Sequence, residues 1–286
     1  MIPWLMTACF YPCIIGPDFW GLVNKHWRMC TTGQLQSPIN VDPSVILYDP
    51  GLLPLDISKQ QVQATLENMG QLPLVTINDS LIEQGNINIS GGPSSPYRYR
   101  LHHVVIHFGL VASDERGSEH TIDRLGVVSN TELRRLTVAS QSITYKGTKT
   151  ILRRFNAYGL LPQTQDYITY EGSLTFPGCF ETVTWVIMNN PIYITKEDLQ
   201  IWNDLQQTET KQLSPILMSP NYRPLKPLNG RLLRTNINIK YKAKSSQSCP
   251  SNLYVDMGYK ANPRRYSVPS LAIGKRSLKD NSSTIF

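Results

Sequence analysis

The stretch YRYRLHHVVIHFGLVASDERGSEHTID, residues 97–123, holds four of the five histidines of the chain and decides its fold. Residues 101–110 within it are rich in Val, Ile and Phe and are closed by Gly109, a pattern that predicts a buried strand. Side chains two residues apart on a strand share a face. We therefore expect one face to carry His103, Val105 and His107, and the other to carry His102, Val104 and Ile106.

Two histidines on one strand face can bind the same metal ion when they are two residues apart, about 7 Å along the backbone. His103 and His107 are four residues apart, about 13 Å in an extended strand, which is too far for one ion without a bend. The residue between them on that face is Val105. The stretch therefore has the pattern of a metal-binding strand in which one ligand has been replaced.

This stretch resembles the metal strand of the α-class carbonic anhydrases, which reads His-x-His, then Trp-Gly, then a loop that ends Gly-Ser-Glu-His. Residues 117–120 match that loop fully, Val105 takes the place of the first ligand and His107 that of the second. Further motifs follow in the family's order over most of the chain. They are FWGLVNKHW (19–27), QSPINV (36–41), ISGGP (89–93), YEGSLTFPGCFETVTW (170–185) and NYRPLKPLNGR (221–231).

Several phrases are most similar to the carbonic anhydrase-related proteins ten and eleven, a secreted branch that is catalytically silent. They are DFWGLVN, NISGGP, IHFG, ITYEGS, VIMNNPIYIT and RTNIN. The resemblance implies a mainly β fold with peripheral helices, built on a large, twisted and mostly antiparallel central sheet.

The chain departs from the family after Asp123, because by residues 130–133 it already resembles a helix that lies much further along in the family. We expect two core strands and their connection to be missing, with the deletion near residues 124–130. A skipped exon or gene-model error and a genuine short isoform both explain the gap, and both interpretations stay open. A sheet without these interior strands would expose backbone groups that must pair elsewhere.

The family's third zinc ligand lies on one of the missing strands, and no histidine follows His120. The resemblance therefore leaves at most His107 of the usual three ligands, and we predict that zinc and carbonate dehydratase activity are absent. Glu119 and Thr175 match the pair that orients zinc-bound hydroxide in active members, and here we expect only a buried hydrogen bond between them. Gln71 stands where active members carry a proton-shuttling histidine, and an amide has no pKa near 7.

Length and composition favour one large domain, since 286 residues with 41% hydrophobic content can bury a sizeable core. We divide the chain into an N-terminal segment (1–17), a carbonic anhydrase-like domain (18–243) and a basic tail predicted to be disordered (244–286). The net charge of +7 comes from the C-terminal end: residues 223–286 hold 13 Lys and Arg against 2 Asp and Glu. A basic tail without interleaved aromatic residues does not favour a nucleic-acid partner.

Local patterns predict an antiparallel meander over residues 40–90 and a helix over 197–207 with Thr195 as its N-cap. A strand over 236–239 should close the domain. Residues 1–16 are apolar but lack Lys and Arg, so a weak secretory signal and a truncated start both stay open. The chain has no run of 18 apolar residues, and we expect no transmembrane segment.

Cysteines and sequons favour secretion. By resemblance, Cys30 and Cys179 correspond to the disulfide of extracellular family members, although two unrelated buried thiols remain the alternative. Cys9, Cys13 and Cys249 are left over, and Cys249 in the polar segment KSSQSCPSN is a candidate for an intermolecular disulfide with a partner. Glycosylation sequons lie at Asn78, Asn88 and Asn281.

Three functional hypotheses follow. The first is a catalytically inactive, secreted protein that binds a cell-surface receptor, with a neurexin-like receptor and a synaptic role implied by the resemblance. The second is a zinc-dependent carbonic anhydrase, as the domain resemblance alone would imply. The third is a structural remnant without a partner.

Overall fold

The computed structural model describes residues 16–77, 86–110, 119–122, 130–190, 192, 194–211 and 214–238. Over these ranges the chain is mostly β with a few short helices, which confirms the predicted fold class. The strands are β1 (Asn40–Val41), β2 (Ile46–Tyr48), β3 (Leu55–Ile57), β4 (Val62–Asn68), β5 (Pro73–Ile77), β6 (Asn88–Gly91), β7 (Tyr99–Arg100), β8 (His103–Val105), β9 (Thr121–Ile122), β10 (Lys149–Phe155), β11 (Tyr167–Gly172), β12 (Val183–Met188) and β13 (Leu233–Thr235). The helices are α1 (Trp20–Val23), α2 (Met29–Thr32), α3 (Thr131–Ser140) and α4 (Lys196–Asn203).

The first four-stranded sheet, which we call the β4 sheet, has the order β10-β4-β5-β8 and is antiparallel throughout. Alternate residues of β4 are buried, as expected for a strand with one face on a core. Helix α3 lies beside β4 and β10 and also contacts α4. The buried apolar residues of this half form one cluster, the large core: Val62, Ala64, Leu66, Val75, Ile77, Ile87, Phe108, Leu136, Ile143, Phe155, Ala157, Trp202, Leu205 and Met218.

The second four-stranded sheet, the β11 sheet, has the order β12-β11-β13-β2, and only its β13–β2 pair is parallel. Strand β11 lies between two neighbours and is buried at every position except Glu171. Strand β12 pairs with β11 alone among the described strands, and none of its six residues is fully buried. The buried apolar residues here form a separate small core: Ile39, Val41, Ile46, Ile168, Tyr170, Leu233 and Ile237.

Two smaller sheets complete the β structure. Strands β3, β6 and β7 form an antiparallel sheet, and β1 pairs in parallel with β9. The predicted single central sheet is thus represented, in the described residues, by two four-stranded sheets that end at β8 and β12. The deletion predicted near 124–130 falls on residues 123–129, outside the described ranges, and stays a prediction.

The strand predicted over residues 101–110 is shorter than expected, because only His103–Val105 are in strand conformation. These residues are exposed or half-buried, since β8 is the last described strand of its sheet and pairs only with β5. His102 precedes the strand, and its ring contacts the His103 ring with centroids 4.2 Å apart. The prediction that the two histidines face opposite sides was therefore wrong.

Two predicted boundaries also differ. Thr195 caps α4 as expected by accepting a hydrogen bond from the Asp198 amide, but the helix ends at Asn203 rather than at residue 207. The backbone beyond it turns away because the Gln206 amide donates to the Thr144 carbonyl. The closing strand is β13, and residues 236–238 are not in strand conformation: the Asn236 side chain accepts the Tyr167 amide and takes the place of a backbone partner.

Only the antiparallel hairpin of β4 and β5 represents the meander predicted over residues 40–90. Strand β2 pairs in parallel with β13, and β3 pairs with β6 rather than with its neighbours in sequence, so the rest of that prediction was wrong. The N-terminal segment up to residue 15 and the tail 244–286 lie outside the described residues. Within the described part of the chain, no helix is both long and apolar enough to cross a membrane.

Candidate functional site

The strand face that would carry the metal ligands holds Val105 and His107. Val105 lies opposite Leu74 of the neighbouring strand β5, and its side chain offers no donor atom to a metal. His107 lies just beyond β8, where its Nδ1–H donates to the Asn221 carbonyl oxygen at 2.7 Å. In the neutral ring this bond leaves the lone pair on Nε2, as in a metal-binding histidine.

Glu119 lies next to His107 and is almost completely buried. Its Oε1 is 3.5 Å from His107 Nδ1 and accepts the Arg223 amide at 3.4 Å. Its Oε2 accepts a hydrogen bond from Thr175 Oγ1 at 2.6 Å. The structure thus brings together the two residues that the sequence paired, and both carboxylate oxygens have protein partners.

The residues around His107 do not fit a three-histidine zinc site. The other four histidines of the chain lie elsewhere: His26 in the exposed turn at residues 25–27, His102 and His103 at the start of β8, and His120 on Tyr170. Over the described ranges, no three His, Cys, Asp or Glu side chains are grouped so that they could hold a metal ion. One imidazole beside a valine cannot supply the three protein ligands that catalytic zinc uses.

Gln71 lies in the turn that joins β4 to β5. Gly70 adopts a left-handed conformation there with φ of 86°, and its amide donates to Asn68 Oδ1 at 2.7 Å. Asn68 is itself fully buried and donates to the Ile143 carbonyl, which fixes the turn to the body of the domain. Gln71, which the resemblance aligns with the proton-shuttling histidine, is half-buried in this turn, and its role stays a prediction.

His120 belongs to a buried polar chain that the sequence did not reveal. Its Nε2 is 2.6 Å from the Tyr170 hydroxyl, which in turn is 2.8 Å from Ser37 Oγ. The ring also packs against Trp185 of β12 with centroids 4.4 Å apart. Burial, together with the nearby His107 and Arg231, lowers the pKa of His120 from 6.5 to about 3. No local pattern signals this contact, because residues 37, 120 and 170 are far apart in sequence.

Arg223 links the same region to the N-terminal part of the domain. Its side chain is buried, and its guanidinium donates to the Ser37 carbonyl at 2.7 Å and to Gln36 Oε1 at 2.8 Å. Nearby, Cys30 of α2 and Cys179 form a disulfide with their Cα atoms 5.0 Å apart. The disulfide ties Cys30 to the segment that carries Thr175, and the guanidinium ties residues 36–37 to the segment that carries Arg223.

The remaining predicted sites are only partly within the described residues. Asn88 is exposed at the start of β6, where a glycan could extend into solvent. Asn78, Asn281 and Cys249 lie outside the described ranges, so their predicted roles stay predictions.

Comparison with known proteins gives a family match. The sequence profile described as eukaryotic-type carbonic anhydrase matches residues 15–128 and 125–237. Carbonic anhydrase-like protein 2 of Caenorhabditis elegans is 56% identical over 304 aligned residues, which cover 93% of this chain and 90% of the relative. Carbonic anhydrase-like protein 1 of the same organism is 31% identical over 326 residues, with coverages of 79% and 88%.

Both alignments are longer than the 286 residues of this chain, so each relative has residues that this chain lacks. The two profile matches meet at residues 125–128, inside the region where the sequence predicts the deletion.

Proposed function

The chain belongs to the eukaryotic-type carbonic anhydrase family, and we propose that it is a catalytically inactive member that is secreted and binds a cell-surface receptor. Within the family we place it in the branch of the carbonic anhydrase-related proteins ten and eleven. The names of its relatives, carbonic anhydrase-like proteins, agree with the family but leave activity and partner open.

The main support for the loss of activity is the incomplete set of zinc ligands around His107. Val105 stands at one ligand position, and no histidine follows His120 in the whole sequence. Zinc needs three protein ligands to lower the pKa of bound water to about 7. Without them the cleft lacks the hydroxide that attacks carbon dioxide.

The hydrogen bond between Thr175 and Glu119 supports a structural role for this pair. Glu119 accepts bonds on both carboxylate oxygens, from Thr175 Oγ1 and from the Arg223 amide. A buried carboxylate that has these partners stabilises the cleft without any metal. We propose that the pair is retained for folding.

Secretion and a receptor partner are supported by the cysteines and sequons. The disulfide between Cys30 and Cys179 would persist only in an oxidising compartment. Asn88 is exposed and offers a glycan site. We propose a neuronal adhesion-type receptor, neurexin-like by family resemblance, with Cys249 as the residue that can form a covalent link.

An active zinc enzyme is the alternative, and one observation favours it. His107 is oriented by the Asn221 carbonyl, and Glu119 and Thr175 stay hydrogen bonded beside it. This half of the site retains the geometry that an active member would need.

A metal and activity assay separates the two functions. We expect protein purified without chelators to contain far less than one zinc per chain and to hydrate carbon dioxide no faster than buffer. The Val105→His variant should behave the same, because it restores only one of two lost ligands. One zinc per chain with hydratase activity that His107→Ala abolishes would show that the chain is an enzyme.

The receptor role needs a binding assay with the intact secreted chain. We expect it to bind a neurexin-type ectodomain and to form a disulfide-linked species on non-reducing gels. The Cys249→Ser variant should lose that species, whereas the Cys9→Ser variant should keep it. Absence of binding to the ectodomain and to neuronal membranes would refute the ligand role, and equal covalent capture by Cys249→Ser would remove Cys249 from it.

A further inference from the structure

His102 and His103 form an exposed pair at the start of β8, apart from the residues that match the family's zinc ligands. Nδ1 of His102 and Nε2 of His103 are 2.8 Å apart, and the two rings meet at 79°. Both side chains are exposed to solvent. Two imidazole nitrogens thus converge where an ion from solution could reach them.

The spacing of the two nitrogens selects a coordination geometry. Metal–imidazole bonds are about 2.0–2.1 Å long, so nitrogens 2.8 Å apart would subtend an angle of about 90° at a shared ion. Tetrahedral zinc would require a separation of about 3.3 Å at the same bond length. An angle near 90° matches neighbouring positions of a tetragonal ion such as Cu²⁺ or Ni²⁺.

Strand β5 holds the pair in place. Thr76 Oγ1 lies 3.4 Å from His103 Nδ1, and the His102 carbonyl accepts the Ile77 amide at 3.3 Å. When His103 Nδ1–H donates to Thr76, the lone pair of that ring is on Nε2, the atom that faces His102. An outer hydrogen bond of this kind orients the ring of a metal-binding histidine.

We propose that His102 and His103 bind one late first-row divalent ion, with Cu²⁺ preferred, and that water fills the remaining positions. In the free protein a hydrogen bond joins the two nitrogens, and it must break when the ion binds to one side of the line between them. On binding, His102 transfers its proton from Nδ1 to the exposed Nε2, so both rings stay neutral and no net proton is released. The site is separate from His107, which is four residues from His103 and about 13 Å away along an extended chain.

The test uses the full chain, stripped with a chelator and then titrated with Cu²⁺, Ni²⁺ and Zn²⁺ by calorimetry. We expect one Cu²⁺ per chain, bound more tightly than Zn²⁺, with an electron paramagnetic resonance spectrum that shows two equatorial nitrogens. His102→Ala and His103→Ala should each weaken Cu²⁺ binding more than about tenfold. Thr76→Val should weaken it by about tenfold through loss of the orienting bond.

His26→Ala and His107→Ala serve as matched controls, since each removes a histidine outside the pair. Both variants should bind Cu²⁺ like the parent. Lack of Cu²⁺ binding, equal binding by His102→Ala and His103→Ala, or tighter Zn²⁺ than Cu²⁺ would overturn the proposal. Loss of binding in His107→Ala would instead place the ion at the family's zinc position. Circular dichroism of each variant checks that folding is retained, and the outcome does not depend on whether the protein is an enzyme.

Discussion

The two four-stranded sheets differ in the amount of apolar burial that stabilises them. In the described part of the chain, the β4 sheet packs on a core of 14 buried apolar residues, whereas the β11 sheet packs on seven. Within the β11 sheet, the interior strand β11 is buried between two neighbours, but the end strand β12 is half-exposed throughout. The β11 side therefore has less apolar burial to stabilise it.

A disulfide and a buried cation are found on the β11 side. The disulfide between Cys30 and Cys179, the chain from His120 to Ser37 and the buried Arg223 all lie there. These links join segments that are far apart in sequence and need no large apolar area. The comparison indicates that the β11 side combines a smaller apolar core with a covalent link and a buried cation.

The largest expected effect comes from the large core. Leu66 in β4 is fully buried, so Leu66→Ala should lower the free energy of unfolding by about 2–5 kcal/mol. Ile187 in β12 is half-buried, and Ile187→Ala should cost about half as much or less. Urea denaturation of both variants measures the difference, and equal costs would show that the two sides do not differ in apolar burial.

Loss of the disulfide should have the next largest effect on stability. Replacing Cys30 and Cys179 together with alanine should destabilise the protein by about 2–4 kcal/mol, because the unfolded chain loses a long-range crosslink. Denaturation with and without a reducing agent measures this cost in the parent. The double variant should be insensitive to the reducing agent, and a parent that is equally insensitive would contradict the assigned role.

The buried pair of Glu119 and Thr175 should contribute less to stability than the disulfide. Thr175→Val removes the donor to Glu119 Oε2 and should cost about 1–3 kcal/mol, since a buried carboxylate oxygen loses its partner. Thr184→Val on the exposed side of β12 is the matched control and should change the stability by less than about 0.5 kcal/mol. Similar values for the two variants would show that the Glu119–Thr175 bond does not stabilise the fold.

The smallest of the expected effects is the change in stability with pH near neutrality. The folded-state pKa of His120 is about 3, below its value of 6.5 when exposed, so the unfolded state binds a proton first as the pH falls. The stability is complete above pH 6.5 and should drop by about 1 kcal/mol between pH 7 and 5.5. His120→Gln should flatten this slope in denaturation experiments, whereas His26→Gln should leave it unchanged.

The sequence predicted the features that depend on short patterns or on family motifs. The mainly β class, the Thr195 cap, the hairpin of β4 and β5 and the contact between Thr175 and Glu119 all follow from such signals. Each depends on residues whose spacing or motif determines their local geometry.

The features that it missed depend on long-range packing. Strand β8 covers only three residues and pairs with β5 alone among the described strands. It begins two residues later than expected, and the rings of His102 and His103 are in contact at this start. The chain from His120 to Ser37 joins three distant segments, and no periodicity can signal it. The early end of β13 arises because the Asn236 side chain replaces a backbone partner.

We expect strand β12 to limit the concentration that the protein can reach in solution. Its sequence VTWVIM contains neither a charge nor a proline, and in the described part of the chain only one of its edges is paired. Natural sheets protect such borders with lysine, proline or a covering segment, because a bare border recruits further molecules. We therefore expect aggregation on storage to start by pairing at this strand. The Thr184→Lys variant should delay the rise in turbidity that reports it.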